Sequence, residues 1–476
     1  MQYTQLALLI DGQWIDATGR ETIEVIDPAT EQVLGKLPMA TQHDVASAIA
    51  AADKAFAQWR DTSALARSDI LRQTGALLRQ RQEQVARTIT YELGKPLAEA
   101  MGEVIVAAEM FEWAAEEARR LYGRIIPSRN RDIRQMVIQE PVGPVAAFAG
   151  WNAPAITPSR KIAGALAAGC TIVIKPSEET AGVALQIARA VVDAGLPAGV
   201  LNVVFGEPGS ISEQLMAAPE IKMVTFTGST AIGKHLAALA APTLKRLTLE
   251  LGGHAPVLVF DDCDIDEAVK NITAAKFRNS GQICTSPTRI YVQDSIYEAF
   301  IEKMADAVSK ITIGNGFDND VKMGPMANPR RHAAMSQLIE DAVANGAKIV
   351  AGGQVIKGKG WFVQPTVIRD FNNQCIAANT EPFGPLALIR SFSTFDQAIS
   401  EANRLPFGLA SYVFTLNSRT AKRASDRIQS GVVCINHCQA SLPETPFGGL
   451  KDSGLGKEGG IEGLEQFINT KYISQL

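Results

Sequence analysis

Between residues 142 and 251 the chain switches repeatedly between short apolar runs and stretches of helical periodicity, and no other feature restricts its fold as much. The runs 142–149, 171–175, 200–205, 223–227 and 244–251 read as strands, with helix-like segments at 160–168, 178–194 and from Ser229 onward. Strands alternating with helices of this length predict a parallel sheet covered on both faces. Ligands of such sheets bind at the carboxyl ends of the strands. The pattern restarts near Gly253, with strands at 257–260, 288–292, 386–392 and 411–415 and helices ending near Asn279 and at 295–310 and 395–403. A chain of 476 residues exceeds what one core usually holds, so a second α/β domain is expected.

The flanking regions read differently. Residues 6–15 form a hairpin about Asp11-Gly12, a type I′ turn sequence. Thr41 caps a helix in which Val45, Ile49, Ala52, Phe56 and Trp59 recur at helical spacing as one buried stripe. Helix is predicted over 68–93, closed by Gly94 and Pro96, and again over 97–122. Residues 133–138 suit an exposed ribbon, because Arg134 and Gln135 interrupt the apolar face. A glycine-rich loop covers 448–463, and 470–473 is a last strand.

Composition removes several classes of function. Lys and Arg number 46 against 50 Asp and Glu, a net charge of −4, with no long run of either sign. That argues against nucleic-acid and acidic-membrane partners. No window approaches a transmembrane span and the N-terminus lacks the pattern of a signal peptide, so a cytoplasmic protein is expected. The six cysteines form no Cys-x-x-Cys pair, which fits a reducing compartment rather than a disulfide framework. Cys434, His437 and Cys438 lack a second ligand pair, so no metal is expected.

The residues that can do chemistry lie where strands end. Cys284 follows an Asn279-Ser280-Gly281 corner and precedes Pro287, a geometry able to push a thiol into a cleft. An unpaired cysteine is equally at home as a small buried hydrophobe. Glu250 ends a strand beside Gly252-Gly253, a place for a general base or for a surface salt bridge. Asn152 follows the first apolar strand; its amide can donate to an oxyanion or simply fix a turn. Lys175 and Glu178 flank a strand-to-helix turn, where both can grip ribose hydroxyls. Gly228 to Lys234 matches a P-loop until His235, which stands where Ser or Thr must hold Mg²⁺. An ATP-using protein is therefore a handicapped alternative. A small-residue helix start still suits a pyrophosphate, and glycine for tight packing is the plain alternative.

Together these segments resemble the aldehyde dehydrogenase superfamily. The match runs through Gly150-Trp151-Asn152-Ala153-Pro154, Ile174-Lys175-Pro176-Ser177-Glu178, Phe226-Thr227-Gly228-Ser229 to Gly233, and Leu249-Glu250-Leu251-Gly252-Gly253. It continues through Asn279 to Cys284, Glu381-Pro382-Phe383-Gly384-Pro385 and Pro446-Phe447-Gly448-Gly449-Leu450-Lys451. The resemblance implies an NAD-binding Rossmann-type domain (1–127 and 141–252), an α/β catalytic domain (253–452) and a β oligomerisation arm (128–140 and 465–476) in a homodimer or homotetramer. It makes Cys284 the nucleophile, Asn152 with the Cys284 N–H the oxyanion hole, and Glu250 the base that hydrolyses the thioester. Lys175, Glu178 and Glu381 match ribose-binding residues, Phe383 lies beside the nicotinamide ribose and Ser229 meets the pyrophosphate. Trp151, Ser177, Gly228, Gly233 and Leu251 complete the implied cofactor site.

Arg160 and Arg278 match the arginines that hold the distal carboxylate in succinate-semialdehyde dehydrogenases, with Ser441 a third anchor. Segments 117–130, 281–289, 327–331 and 401–410 are similar to 2-oxoglutarate-semialdehyde dehydrogenases. Another small or aromatic aldehyde is the alternative substrate. Ala153 replaces the family's common Phe, which widens the substrate tunnel. Ser286 replaces the second cysteine of redox-switched relatives. Glu178 favours NAD, because a carboxylate on the ribose hydroxyls repels the 2′-phosphate of NADP; use of NADP stays open.

Overall fold

The computed structural model describes residues 3–476. Its larger sheet has eight strands in the order Gln13–Ile15, Leu8–Ile10, Leu201–Val203, Ile172–Lys175, Val145–Phe148, Met223–Thr227, Arg246–Glu250, Gly454–Leu455. From Leu201–Val203 to Arg246–Glu250 all pairings are parallel. Only the edges are antiparallel. These strands are buried along nearly their whole length, as expected where helices cover both faces. The chain moves outward from Val145–Phe148 to Leu201–Val203, then jumps back to Met223–Thr227 on the other side. That reversal opens a crevice between the carboxyl ends of Val145–Phe148 and Met223–Thr227.

The second sheet has seven strands: Lys348–Ala351, Thr366–Arg369, Leu386–Phe392, Arg289–Gln293, Pro256–Val259, Ala410–Phe414 and Val432–Ile435. All but the first run parallel. Its use corrects one expectation. Cys284 lies before Arg289–Gln293, Gly252-Gly253 before Pro256–Val259, and Glu381 to Phe383 before Leu386–Phe392. This sheet therefore presents its amino ends to the crevice that the first sheet presents its carboxyl ends to. The carboxyl-end rule holds for one sheet of the two.

A third sheet joins Ile468–Gln475, Arg134–Pro141 and Arg124–Ile126, all antiparallel. It begins before residue 128 because Arg124–Ile126 folds back onto the middle strand. The strand expected at 133–138 extends to Pro141, carried by continuous pairing with the terminal strand. Ile125 and Tyr472 remain exposed on this ribbon.

Local signals explain most other elements. Asp11 and Gly12 both have positive φ (48° and 76°), as a type I′ hairpin needs. Thr41 accepts the Asp44 N–H while Asp44 accepts the Thr41 N–H, a complete capping box on Gln42–Arg60. In that helix Val45, Ile49, Ala52 and Trp59 are buried, and Phe56 only partly so. The helix expected over 68–93 is two, Ala64–Gln80 and Gln82–Leu93, separated at Arg81, whose side chain pairs with Asp193 at 2.7 Å. No Gly or Pro marks that break. The helix expected to reach 122 stops at Ala118. Among the described residues no helix is long and apolar enough to cross a membrane.

Thr41→Ala should cost about 1 kcal/mol of stability through the lost cap. Thermal unfolding against wild type checks this, and an unchanged melting temperature would show that the Asp44–Arg20 pair alone holds the helix start.

Candidate active site

The two sheets meet across a cleft of about 830 Å³. Gly228, Ser229 and Thr230 supply one wall, at the point where Met223–Thr227 passes into the helix Thr230–Ala240. Ser229 caps that helix through the Ile232 N–H. Lys234 points outward to Asp452 at 2.6 Å, away from any phosphate at the helix start. With His235 following it, this removes the P-loop reading. A β-carbon at Gly233 would collide with Leu251, so this glycine serves packing and does not line the cleft.

Lys175, Ser177 and Glu178 are likewise outside the lining, at the end of the next strand out. Lys175 Nζ donates to Glu178 Oε1 at 2.7 Å, and the Gly206 N–H donates to the same oxygen at 3.0 Å. Ser177 caps the short turn that follows. Trp151 and Phe383 also line the cleft, edge to face with ring centroids 5.4 Å apart. Phe383 has φ of +44°, and Arg331, also on the cleft, donates to the carbonyls of Pro382 and Phe383.

The corner before Cys284 is built against strain. Asn279, Ser280 and Gly281 have φ of 50°, 54° and 70° in succession. A left-handed non-glycine residue costs on the order of 1–3 kcal/mol and persists only where neighbours over-determine it. Here the Asn279 N–H donates to Glu99 at 3.0 Å and the Ser280 hydroxyl to the Gly324 carbonyl at 2.8 Å. The Gln282 amide reaches Asn279 and receives the Ala327 N–H. A β-carbon at Gly281 would strike the Gly384 carbonyl. Asn279 Nδ2 also donates to the Asn152 carbonyl at 2.9 Å, which ties the thiol's loop to the amide's loop.

Glu250 ends its strand almost wholly buried, with Oε1 lacking a hydrogen-bond partner among the described residues. Burial, followed by the charge of Glu458, pushes its carboxyl up to about 7, while Lys161, the Cys284 thiol and Arg160 pull the other way. Burial also pushes the Cys284 thiol well above its ordinary range, and the charges of Glu250 and Glu381 add to this. Both shifts favour a protonated thiol at rest, beside a carboxyl raised toward neutrality. Glu381 is pushed to about 8, chiefly by burial, and accepts the Gly253 N–H at 3.2 Å.

Arg160 lies over the Phe447 ring at 4.9 Å, donates to Ser441 Oγ at 2.7 Å and stands 3.8 Å from Glu458. Its Nε has no hydrogen-bond partner among the described residues. Arg278 is exposed on the same cleft and makes no ion pair among the described residues. Sequence reasoning missed Glu458 and Lys161, a fully buried pair at 2.5 Å with Thr225. Glu458 was hidden in a glycine-rich tail that reads as loop; it returns beside Phe447 through a reciprocal backbone bridge.

A thiol, a raised carboxyl and an amide on one cleft between two parallel sheets have a counterpart among known proteins. The model of the aldehyde dehydrogenase family matches residues 14–473. The chain belongs to the aldehyde dehydrogenase family. It is 43% identical to the succinate-semialdehyde dehydrogenase [NADP(+)] GabD of Escherichia coli (strain K12), over 98% of this chain and 96% of that one. It is 44% identical to the 4-(hydroxymethyl)benzenesulfonate dehydrogenase TsaD1 of Comamonas testosteroni, over 98% and 97%. The crystal structure of succinate-semialdehyde dehydrogenase from Burkholderia pseudomallei superposes with a TM-score of 0.97 at 41% identity, covering 99% of this chain and 98% of that one.

This aldehyde dehydrogenase gathers Asn152, Glu250, Cys284, Arg160, Arg278, Ser441, Trp151, Gly228, Ser229, Leu251, Glu381 and Phe383 onto one cleft. Iodoacetamide alkylation of Cys284 in the free enzyme should keep rising with pH from about 7 to about 9, because the thiol lies above its ordinary range. A rate already level at about pH 7 would show a thiolate and refute the protonated resting state.

Proposed function

We propose that the enzyme oxidises a carboxylated semialdehyde, 2-oxoglutarate semialdehyde or succinate semialdehyde, to the dicarboxylic acid with NAD. The observation that carries this is the placing of Arg160, with its Ser441 partner, and unpaired Arg278 on the cleft that holds Cys284 and Glu250. Guanidinium is suited to a carboxylate because its planar fork binds both oxygens.

A dinucleotide fits the remaining walls. A helix start with Gly228, Ser229 and Thr230 suits a pyrophosphate, Glu381 offers a carboxyl group for ribose hydroxyls, and Trp151 with Phe383, edge to face, offers apolar contact. The Glu178 side chain, fixed by Lys175 and the Gly206 N–H just outside the cleft lining, supports a preference for NAD over NADP, because a carboxylate there repels a 2′-phosphate. When bound, the nicotinamide supplies the hydride acceptor.

The protein's residues do the rest. Glu250 takes the Cys284 proton and the thiolate attacks the aldehyde carbon, giving a thiohemiacetal. The Asn152 amide and the Cys284 N–H donate to its oxyanion, each worth ~3 kcal/mol. Once the carbon is oxidised, Cys284 carries a thioester. Glu250, unpartnered at Oε1 among the described residues, first loses the Cys284 proton to solvent; its carboxylate then takes a proton from water as the water attacks the thioester, and the departing sulfur takes that proton back, freeing the acid and the thiol. In this reading the larger sheet is the cofactor domain and the second sheet the catalytic domain. The three-stranded ribbon is the arm of a homodimer or homotetramer, acting in the cytoplasm.

Incubation with NAD and succinate semialdehyde, 2-oxoglutarate semialdehyde and propanal should give NADH fastest with the carboxylated pair, and none with Cys284→Ala. Equal or better rates on propanal would transfer the enzyme to other small or aromatic aldehydes. Glu250 must be ionised to act, so kcat should climb as pH rises through about 7. Glu250→Gln should abolish that limb and lower kcat about 100-fold or more, and a variant keeping wild-type turnover would exclude Glu250 as the base.

A further inference from the structure

The helix Leu97–Ala118 turns one face to the cleft through Glu99, Gly102, Glu103 and Val106, which recur at helical spacing. Glu99 accepts the N–H of Asn279, in the corner before the thiol. Glu103 accepts the N–H of Ala155, three residues after Asn152. Gly102 therefore sits between the supports of the two loops that bracket the reacting carbon, in the aldehyde half of the cleft. Gly102 and Arg278 are exposed where Glu99, Val106, Ala153 and Ile156 are only partly so, which puts both at the mouth.

Nothing in the fold asks for glycine there. A β-carbon on Gly102 would meet no atom within 4 Å. The other glycines with equally open surroundings, Gly19, Gly195, Gly346 and Gly358, all have positive φ, which by itself favours glycine; Gly102 is helical. Glycine inside a helix is less favourable than alanine. Neither backbone nor packing accounts for a residue that weakens its own helix on the wall of a cleft.

We propose that Gly102 is a specificity-determining residue whose missing side chain leaves room, beside Arg278, for the far end of the aldehyde. With Ala153 also small, the mouth admits aldehydes whose far end is broader than a simple carboxylate on a short chain, a 2-oxo acid group being the fitting case. The inference rests on the proposed function only for the half of the cleft that holds the aldehyde.

The test separates size from charge. Wild type, Gly102→Ala and Gly102→Leu are assayed with a charged pair, succinate and 2-oxoglutarate semialdehyde, and an uncharged pair, propanal and phenylacetaldehyde. Gly102→Leu should lower kcat/KM about tenfold or more for the broader member of each pair, as overfilled sites do. It should change the narrower member less than about threefold and leave the KM for NAD unaltered. Gly102→Ala should raise the melting temperature. Loss of equal size for all four aldehydes, no loss at all, or a lower melting temperature in Gly102→Ala would overturn the proposal. A wild type that favours the uncharged pair would instead refute the carboxylate reading, while the comparison within each pair still decides the role of Gly102.

Discussion

One hydrogen bond between two loops gives the site its shape: the Asn279 amide on the Asn152 carbonyl, 2.9 Å long. Asn152 belongs to the carboxyl edge of the first sheet and Cys284 to the amino edge of the second. Each sheet is held by its own ladder and its own buried side chains. Their relative placement near the chemistry falls to contacts of this kind. Asn279 can reach across only because its backbone is left-handed, and it is left-handed because Glu99, Gly324 and Ala327 engage it, Ser280 and Gln282 from outside the corner. Strain at the corner is thus the local cost of tying the loop of Cys284 to the loop of Asn152.

Two buried charges near the thiol are held by opposite means. Glu458 is kept below the ordinary carboxylate range by Lys161 and Arg160 against the opposing effect of burial, the largest single influence on it. Its negative charge then adds to burial, the larger cause, in raising Glu250. A buried anion held by two cations thereby tunes a second, unpaired carboxyl toward neutrality, where a base is most useful. Lys276 shows the opposite device. It is fully buried, donates to Ser286 at 3.1 Å and has been pushed down to about 7 by burial, against the charge of Glu381. It bridges the start and the end of the loop that carries Cys284.

The alternation of strand and helix made both parallel sheets legible, because buried strands need continuous apolar runs and these stand out against helical spacing. Asn152, Glu250 and Cys284 were legible as candidates because each ends or precedes such a run. Three things were not. The second sheet offers its amino ends, and periodicity carries no information about which end of a sheet faces a neighbour. Ser280 is left-handed although only Asn279 and Gly281 are of types that favour it, since tertiary hydrogen bonds and not local preference decide it. Glu458 reads as loop because its partners, Lys161 and Thr225, are 297 and 233 residues away in the chain.

The two arginines cannot contribute alike to choosing a carboxylate. Arg278 is exposed and unpaired, so water and salt weaken its attraction beyond about a Debye length of 10 Å. It can gather anions at the mouth but discriminates poorly among them. Arg160 is enclosed against Phe447, where a charge acts through a lower dielectric. Yet Glu458 at 3.8 Å already neutralises part of it, and Ser441 occupies one of its donors. A substrate carboxylate must compete with Glu458 for this guanidinium, and drawing Arg160 away leaves Glu458 less compensated and raises Glu250 further. Under the proposed function, the residue that reads the far end of the substrate is therefore coupled through Glu458 to the base that completes turnover.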